Sequence, residues 1–204
     1  MKPIFRFNAV LLFMIAVAPV TAKAVVERGD AKDLGAYSDS EQDKSEDEFM
    51  DGALKVVCSP DRFNAELLLR VLDWFLGDTS DRLKVVEAQL TDLGGKFHHN
   101  ADGSLITDGL EEAIIATKMR VTEVRVKDVK RAVDDYSKLT AKMRSALGVV
   151  KSPDERLILE SALLESCETS VRFGVDTSWY TEYLRQNVEK LHRDLGALRT
   201  KTSR

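Results

Sequence analysis

The sequence predicts an all-α protein: an elongated antiparallel helical bundle of about five helices with one long central helix, preceded by a disordered acidic leader. Three observations predict it. The first is a helical period held without proline over residues 108–147. The second is punctuation by Gly and Ser-Pro-Asp between shorter apolar-periodic stretches. The third is an abrupt change in charge near residue 52. From Glu27 to Asp51 ten acids face three bases, a net of −7, whereas 53–204 carries 24 of each sign.

Along 108–147, alternating steps of four and three place Ile115, Met119, Thr122, Val126, Val129, Val133, Tyr136, Thr140, Met143 and Leu147 on one stripe. A strand or loop does not sustain that period for about five heptads. At roughly 1.5 Å per residue the helix runs about 60 Å. A second stripe on its first half, Ile114, Thr117, Val121 and Val124, implies a further neighbour there. The remaining faces carry Lys118, Arg120, Arg125, Lys127, Lys130 and Arg131 with Glu123 and Asp128 among them. Interspersed signs of this kind describe a solvated face, and no nucleic-acid partner is expected.

Residues 1–24 have the layout of a secretory signal peptide. Lys2 and Arg6 precede an apolar run from Ala9 to Ala18, Pro19 breaks it, and small residues follow up to Ala24. The run is too short for a bilayer span, which takes about twenty residues. The expected location is therefore secreted or extracellular, or the lumen or periplasm of a secretory route. Residues 25–52 hold few large apolar side chains beside their acids, so burial cannot offset ordering entropy, and a disordered leader is expected. Arg28-Gly29-Asp30 within it spells the integrin-recognition tripeptide.

Residues 53–200 read as one helical bundle domain, followed by a basic tail, 201–204. Ser59-Pro60-Asp61 has the form of a helix start. Its helix, ringed by Phe63, Leu67, Leu68, Leu69, Val71, Leu72, Trp74, Phe75 and Leu76, is expected to be central and to stop at Gly77. Thr79 or Ser80 would cap a second helix, with Leu83, Val86, Leu90 and Leu93 buried and Gly94-Gly95 ending it. After the long helix, closed by Gly148, Ser152-Pro153-Asp154-Glu155 repeats the start signal with a capping box. That fourth helix carries Leu159, Leu163, Cys167 and Val171 towards Gly174. The last begins at Asp176 or Thr177 with the stripe Tyr180, Leu184, Val188, Leu191, Leu195 and Leu198. Trp74, Trp179 and Tyr180 are expected to pack in the core.

Few residues offer chemistry. Cys58 and Cys167 are the only cysteines, and in an oxidising compartment such a pair forms a disulfide. The segment 98–109 resembles the middle of an EF-hand calcium loop: Asn100, Asp102, Gly103 and Leu105 match its third, fifth, sixth and eighth positions. His98 and Gly109 stand where that loop needs its first carboxylate and its bidentate glutamate. His98, Asn100 and Asp102 are thus weak metal candidates, and the expectation is a turn built on Asp-Gly geometry, with no metal. His98 and His99 could also take a transition metal, but adjacent residues point apart, and His192 is the only other histidine. There is no phosphate-cradling glycine loop, nucleophile elbow or paired-histidine zinc motif. No catalytic residue and no cofactor are expected. The functional expectation is a secreted, non-enzymatic helical protein that binds a protein partner. Its layout is shared with effectors, antigens and virulence factors that pathogens and parasites secrete to act on a host. The alternatives are a helical carrier of a lipid or other apolar ligand, and a membrane-active helical protein.

Overall fold

The computed structural model describes residues 50–202. The signal, the leader up to residue 49 and Arg28-Gly29-Asp30 lie outside the described residues. The all-α expectation holds. Residues 50–57 are helical (α1), followed by a 3-10 turn, Pro60–Arg62. Then come α2 (Ala65–Gly95), strands β1 (His98–His99) and β2 (Leu105–Ile106), α3 (Leu110–Val149), α4 (Pro153–Glu165) and α5 (Cys167–Thr202). Residues 50–52, expected in the leader, belong to α1, where Met50 and Val57 are buried. Burying a large apolar side chain is worth roughly 1.5–3 kcal/mol, enough to order the end of an acidic segment.

Helix α3 matches its prediction most closely: all ten positions of the stripe from Ile115 to Leu147 are buried. Gly148 lies inside the helix rather than closing it.

Helix α2 corrects the sequence reading twice. It does not start at Ser59-Pro60-Asp61, where Ser59 makes no side-chain cap bond. Asn64 caps it instead, its Oδ1 accepting the Leu67 backbone N–H at 3.1 Å. Nor does it stop at Gly77, which has no left-handed φ. The buried positions Leu72, Leu76, Thr79, Leu83, Val86, Leu90 and Leu93 keep steps of three and four straight across that glycine. One exposed glycine costs a helix about 1 kcal/mol, less than the burial that the continuous stripe secures. The helix is not ringed by core either, since Trp74 is 61% exposed. Trp179 and Tyr180 are half-buried.

The last two helices are also divided differently. The break falls at Ser166, whose hydroxyl donates to the Leu163 carbonyl at 3.1 Å, and α5 then runs unbroken through Gly174 and Asp176. A serine hydroxyl bonded back to the preceding turn competes with the backbone ladder. Gly174 serves close approach: a Cβ there would sit 3.1 Å from Phe75 side-chain atoms. Ser152 holds the N-cap position of α4, but its side chain makes no cap bond, so the capping box with Glu155 does not form. Leu159, Leu163, Cys167 and Val171 are all buried, as their spacing predicts. The start of the basic tail continues α5 as far as Thr202.

The described residues form two compact units, 50–76 with 134–176 and 77–133 with 177–202. In the first, Cys58 and Cys167 are disulfide-bonded with Cα atoms 5.6 Å apart, as expected. Asp73 pairs with Arg144 at 2.5 Å, and Tyr136 stacks on Phe173 with ring centroids 4.2 Å apart. In the second, α2 and α3 run antiparallel: Glu87 meets Lys130 and Gly94 lies against Met119. There α5 runs parallel to α2, since Arg82 pairs with Glu182 and His192 bonds the Gln89 carbonyl. Leu83, Val86, Leu93, Met119, Val126, Val129, Leu184, Val188 and Leu195 form that unit's core.

Candidate functional site

The segment that resembles a calcium loop is the turn of a hairpin. Strands β1 and β2 pair antiparallel, His98 opposite Ile106 and His99 opposite Leu105. The Asn100 and Ser104 backbones close it at 2.8 Å, and Gly103 takes φ +80, a conformation glycine adopts without strain. Asp102 Oδ1 accepts the Ser104 N–H at 2.9 Å, and Asn100 Nδ2 donates to Ser104 Oγ at 2.8 Å. Hydrogen bonding from the Ser104 hydroxyl, then from its backbone N–H, holds the Asp102 carboxyl below the usual range. Asn100 and Asp102 are thus committed to the Asp-Gly turn, while His98 and His99 stand exposed on β1. Among the described residues no three His, Cys, Asp or Glu side chains are placed to hold a metal ion.

Beside the hairpin lies a polar clasp that the sequence reading did not find. Glu112, in the first turn of α3, is 5% exposed. Its Oε2 accepts the Asp108 backbone N–H at 2.6 Å, and its Oε1 accepts from Arg199 at 3.0 Å. Arg199 also donates to the Lys96 carbonyl at 2.6 Å. The Asp108 bond, then Arg199, holds the Glu112 carboxyl below its ordinary value. An open cleft of about 230 Å³ is lined by Asp108, Gly109, Leu110, Glu111, Leu198 and this pair. Both carboxylate oxygens are occupied in joining three segments, so the group positions backbone. The signal that could have revealed it is a glutamate at the third position of a helix opened by Gly109, where carboxylates bond back to free N–H groups.

His192 is engaged by neighbours on α2. Its Nε2 meets the Gln89 carbonyl at 3.0 Å and its Nδ1 meets Lys96 Nζ at 3.0 Å. A carbonyl only accepts and an ammonium only donates, so Nε2 carries the ring proton. In the other unit, the Tyr136 hydroxyl donates to Ser170 Oγ at 2.9 Å, and burial raises its pKa. Burial likewise raises the Asp176 carboxyl, with Arg172 opposing. Cys58 and Cys167 are consumed by their bond, so neither is a nucleophile.

What the second unit leaves open is the outward face of α3. Leu110 is 77% exposed, Ile114 45%, Val121 39% and Val124 58%, and Thr117 between them is also exposed. This corrects the expectation that Ile114, Thr117, Val121 and Val124 pack on a further neighbour. Steps of four, three, four and three align the five residues over about 21 Å. Lys118, Arg120, Arg125 and Lys127 flank them. Arg120 pairs with Glu123 at 3.0 Å, whereas Lys118 and Lys127 make no ion pair among the described residues.

No helix of the described residues is long and apolar enough to cross a membrane. No protein family, curated protein or solved structure matches the chain.

Proposed function

We propose that the chain is a secreted, non-enzymatic α-helical protein that acts by binding another protein, in the manner of effectors and antigens directed at a host. The observation that carries this reading is the exposed apolar seam on α3, aligned along a helix whose opposite stripe is fully buried. A contiguous apolar face with a charged rim is the ordinary anatomy of a protein-binding surface. The disulfide supports an oxidising compartment, in keeping with the signal-like start of the sequence. The carrier reading loses its main support, because Leu68, Leu69, Leu72, Phe75 and Leu76 are spent on core packing.

The test uses the mature protein and an Ile114→Glu/Val121→Glu variant as paired baits in the extracellular setting. Both positions are exposed, so the variant keeps the wild-type melt. A protein retained by the wild type and lost from the variant is the expected result. Identical retention by both baits overturns the reading, as does a stoichiometric lipid extracted from the purified wild type.

A further inference from the structure

We infer that the partner of the α3 seam is an acidic amphipathic helix, docked along it in coiled-coil fashion; the inference rests on the interaction reading above. In heptad terms Ile114 and Val121 occupy a positions, and Leu110, Thr117 and Val124 occupy d positions. The e positions hold Glu111, Lys118 and Arg125, and the g positions Ala113, Arg120 and Lys127. Arg120 is paired with Glu123, and Arg125 is half-buried with one guanidinium nitrogen out of solvent beside Tyr180, so the bases the rim leaves open are Lys118 and Lys127, against Glu111. The seam ends where Asp128 and Arg131 take the next a and d positions. A partner that covers Leu110 to Val124 is therefore two to three heptads long, with Glu or Asp at its own e and g positions.

Charge disfavours a parallel second copy of the same seam. A parallel pair sets each g residue against an e residue of the next heptad, bringing Arg120 onto the other copy's Arg125. An antiparallel pair sets e against e and g against g, which opposes Lys118 to Lys118 and Arg120 to Arg120 but also brings Glu111 to Arg125. An anionic bilayer fits less well. Helices that lie in a membrane surface present a broad apolar face with Trp, Phe or Leu. This seam is one residue wide, holds no aromatic and is mostly β-branched, with the Thr117 hydroxyl bonded to the Ala113 carbonyl. β-Branched residues at a positions suit knobs-into-holes packing against a single helix.

The test titrates the mature protein with two labelled peptides of about three heptads that share an Ile/Leu seam. One carries Glu at every e and g position, the other Lys, and binding is read by fluorescence anisotropy. The Glu peptide is expected to bind about tenfold or more tightly than the Lys peptide. The preference should shrink between about 50 and 500 mM salt, and binding should vanish in Ile114→Glu/Val121→Glu. Equal or tighter binding of the Lys peptide overturns the inference, as does binding of neither. So does co-sedimentation with phosphatidylserine vesicles, or a dimer in light scattering, that the double variant abolishes. If neither peptide binds while the paired baits still differ in a retained protein, the acidic-helix assignment falls and the interaction reading stands. If the baits also agree, both fall.

Discussion

Replacing Gly77 by alanine decides between two descriptions of α2, because they give opposite signs. In the structure Gly77 lies inside a 31-residue helix, exposed, with a right-handed φ and nothing within 4 Å of where a Cβ would stand. The methyl group then meets no neighbour, and the change is one of helix propensity and unfolded-chain entropy. Alanine in an exposed helix interior is better than glycine by about 1 kcal/mol. For a chain of this size that raises the melting temperature by about 2–4 °C. Had Gly77 ended a helix, it would hold the left-handed conformation of a C-terminal cap. A Cβ there would cost about 1 kcal/mol, and the melt would move down. Thermal melts of wild type and Gly77→Ala in one buffer, followed by far-ultraviolet circular dichroism, read the sign directly. A fall of a few degrees would refute the continuous helix.

Gly174→Ala should do the reverse: its Cβ would sit 3.1 Å from the Cβ, Cγ and Cδ2 of Phe75, the first two held close to the backbone. Overpacking of about 1–3 kcal/mol outweighs the propensity gain, and a melt at or above wild type would contradict the contact. Glu112→Gln should destabilise by about 2 kcal/mol at neutral pH, the scale of a hydrogen-bonded charge. Because the folded protein holds this carboxyl below its ordinary value, its stabilisation is present above that value and is lost as pH falls through the folded one. The gap between variant and wild-type melts should therefore close in acid, and a gap that widens there counts against the clasp. Val133→Asp, which places a charge at a site 2% exposed, should unfold the protein, visible as loss of the cooperative melt. Lys130→Asp should cost only about 1 kcal/mol or less, by setting a carboxylate against Glu87 in a half-exposed pair.

The contrast between α3 and α2 shows what a sequence carries plainly. The α3 stripe was legible because ten positions report one burial pattern, and no single residue can mislead it. The helix ends at Gly77 and Gly174 were each read from one residue whose local preference is about 1 kcal/mol. Burial of the stripe that continues past them is worth more per side chain, so tertiary packing decides. Leu76, Thr79 and Leu83 carry that information, because their spacing does not reset at Gly77. The disulfide was legible for another reason: with two cysteines only one pairing exists. The Glu112 clasp was not, since Arg199 lies 87 residues away and only the fold brings them together.

The outer seam of α3 was visible in the sequence as an apolar face, and its error lay in what was supposed to cover it. Periodicity reports that a face is apolar and is silent about its neighbour. The energetics of the isolated chain make this face informative. Val121 and Val124 are β-branched and exposed, and at such positions valine is poorer in a helix than Ala, Lys or Glu by a few tenths of a kcal/mol. Within the described chain Val121 stays 39% and Val124 58% exposed, so part of their apolar surface remains in water. Covering the exposed part of four large apolar side chains would add roughly 1 kcal/mol each. The buried stripe of α3 is thus explained by folding, whereas the exposed one is not, and the second helix proposed above would supply the missing cover. In that proposal the rim would select the helix by charge.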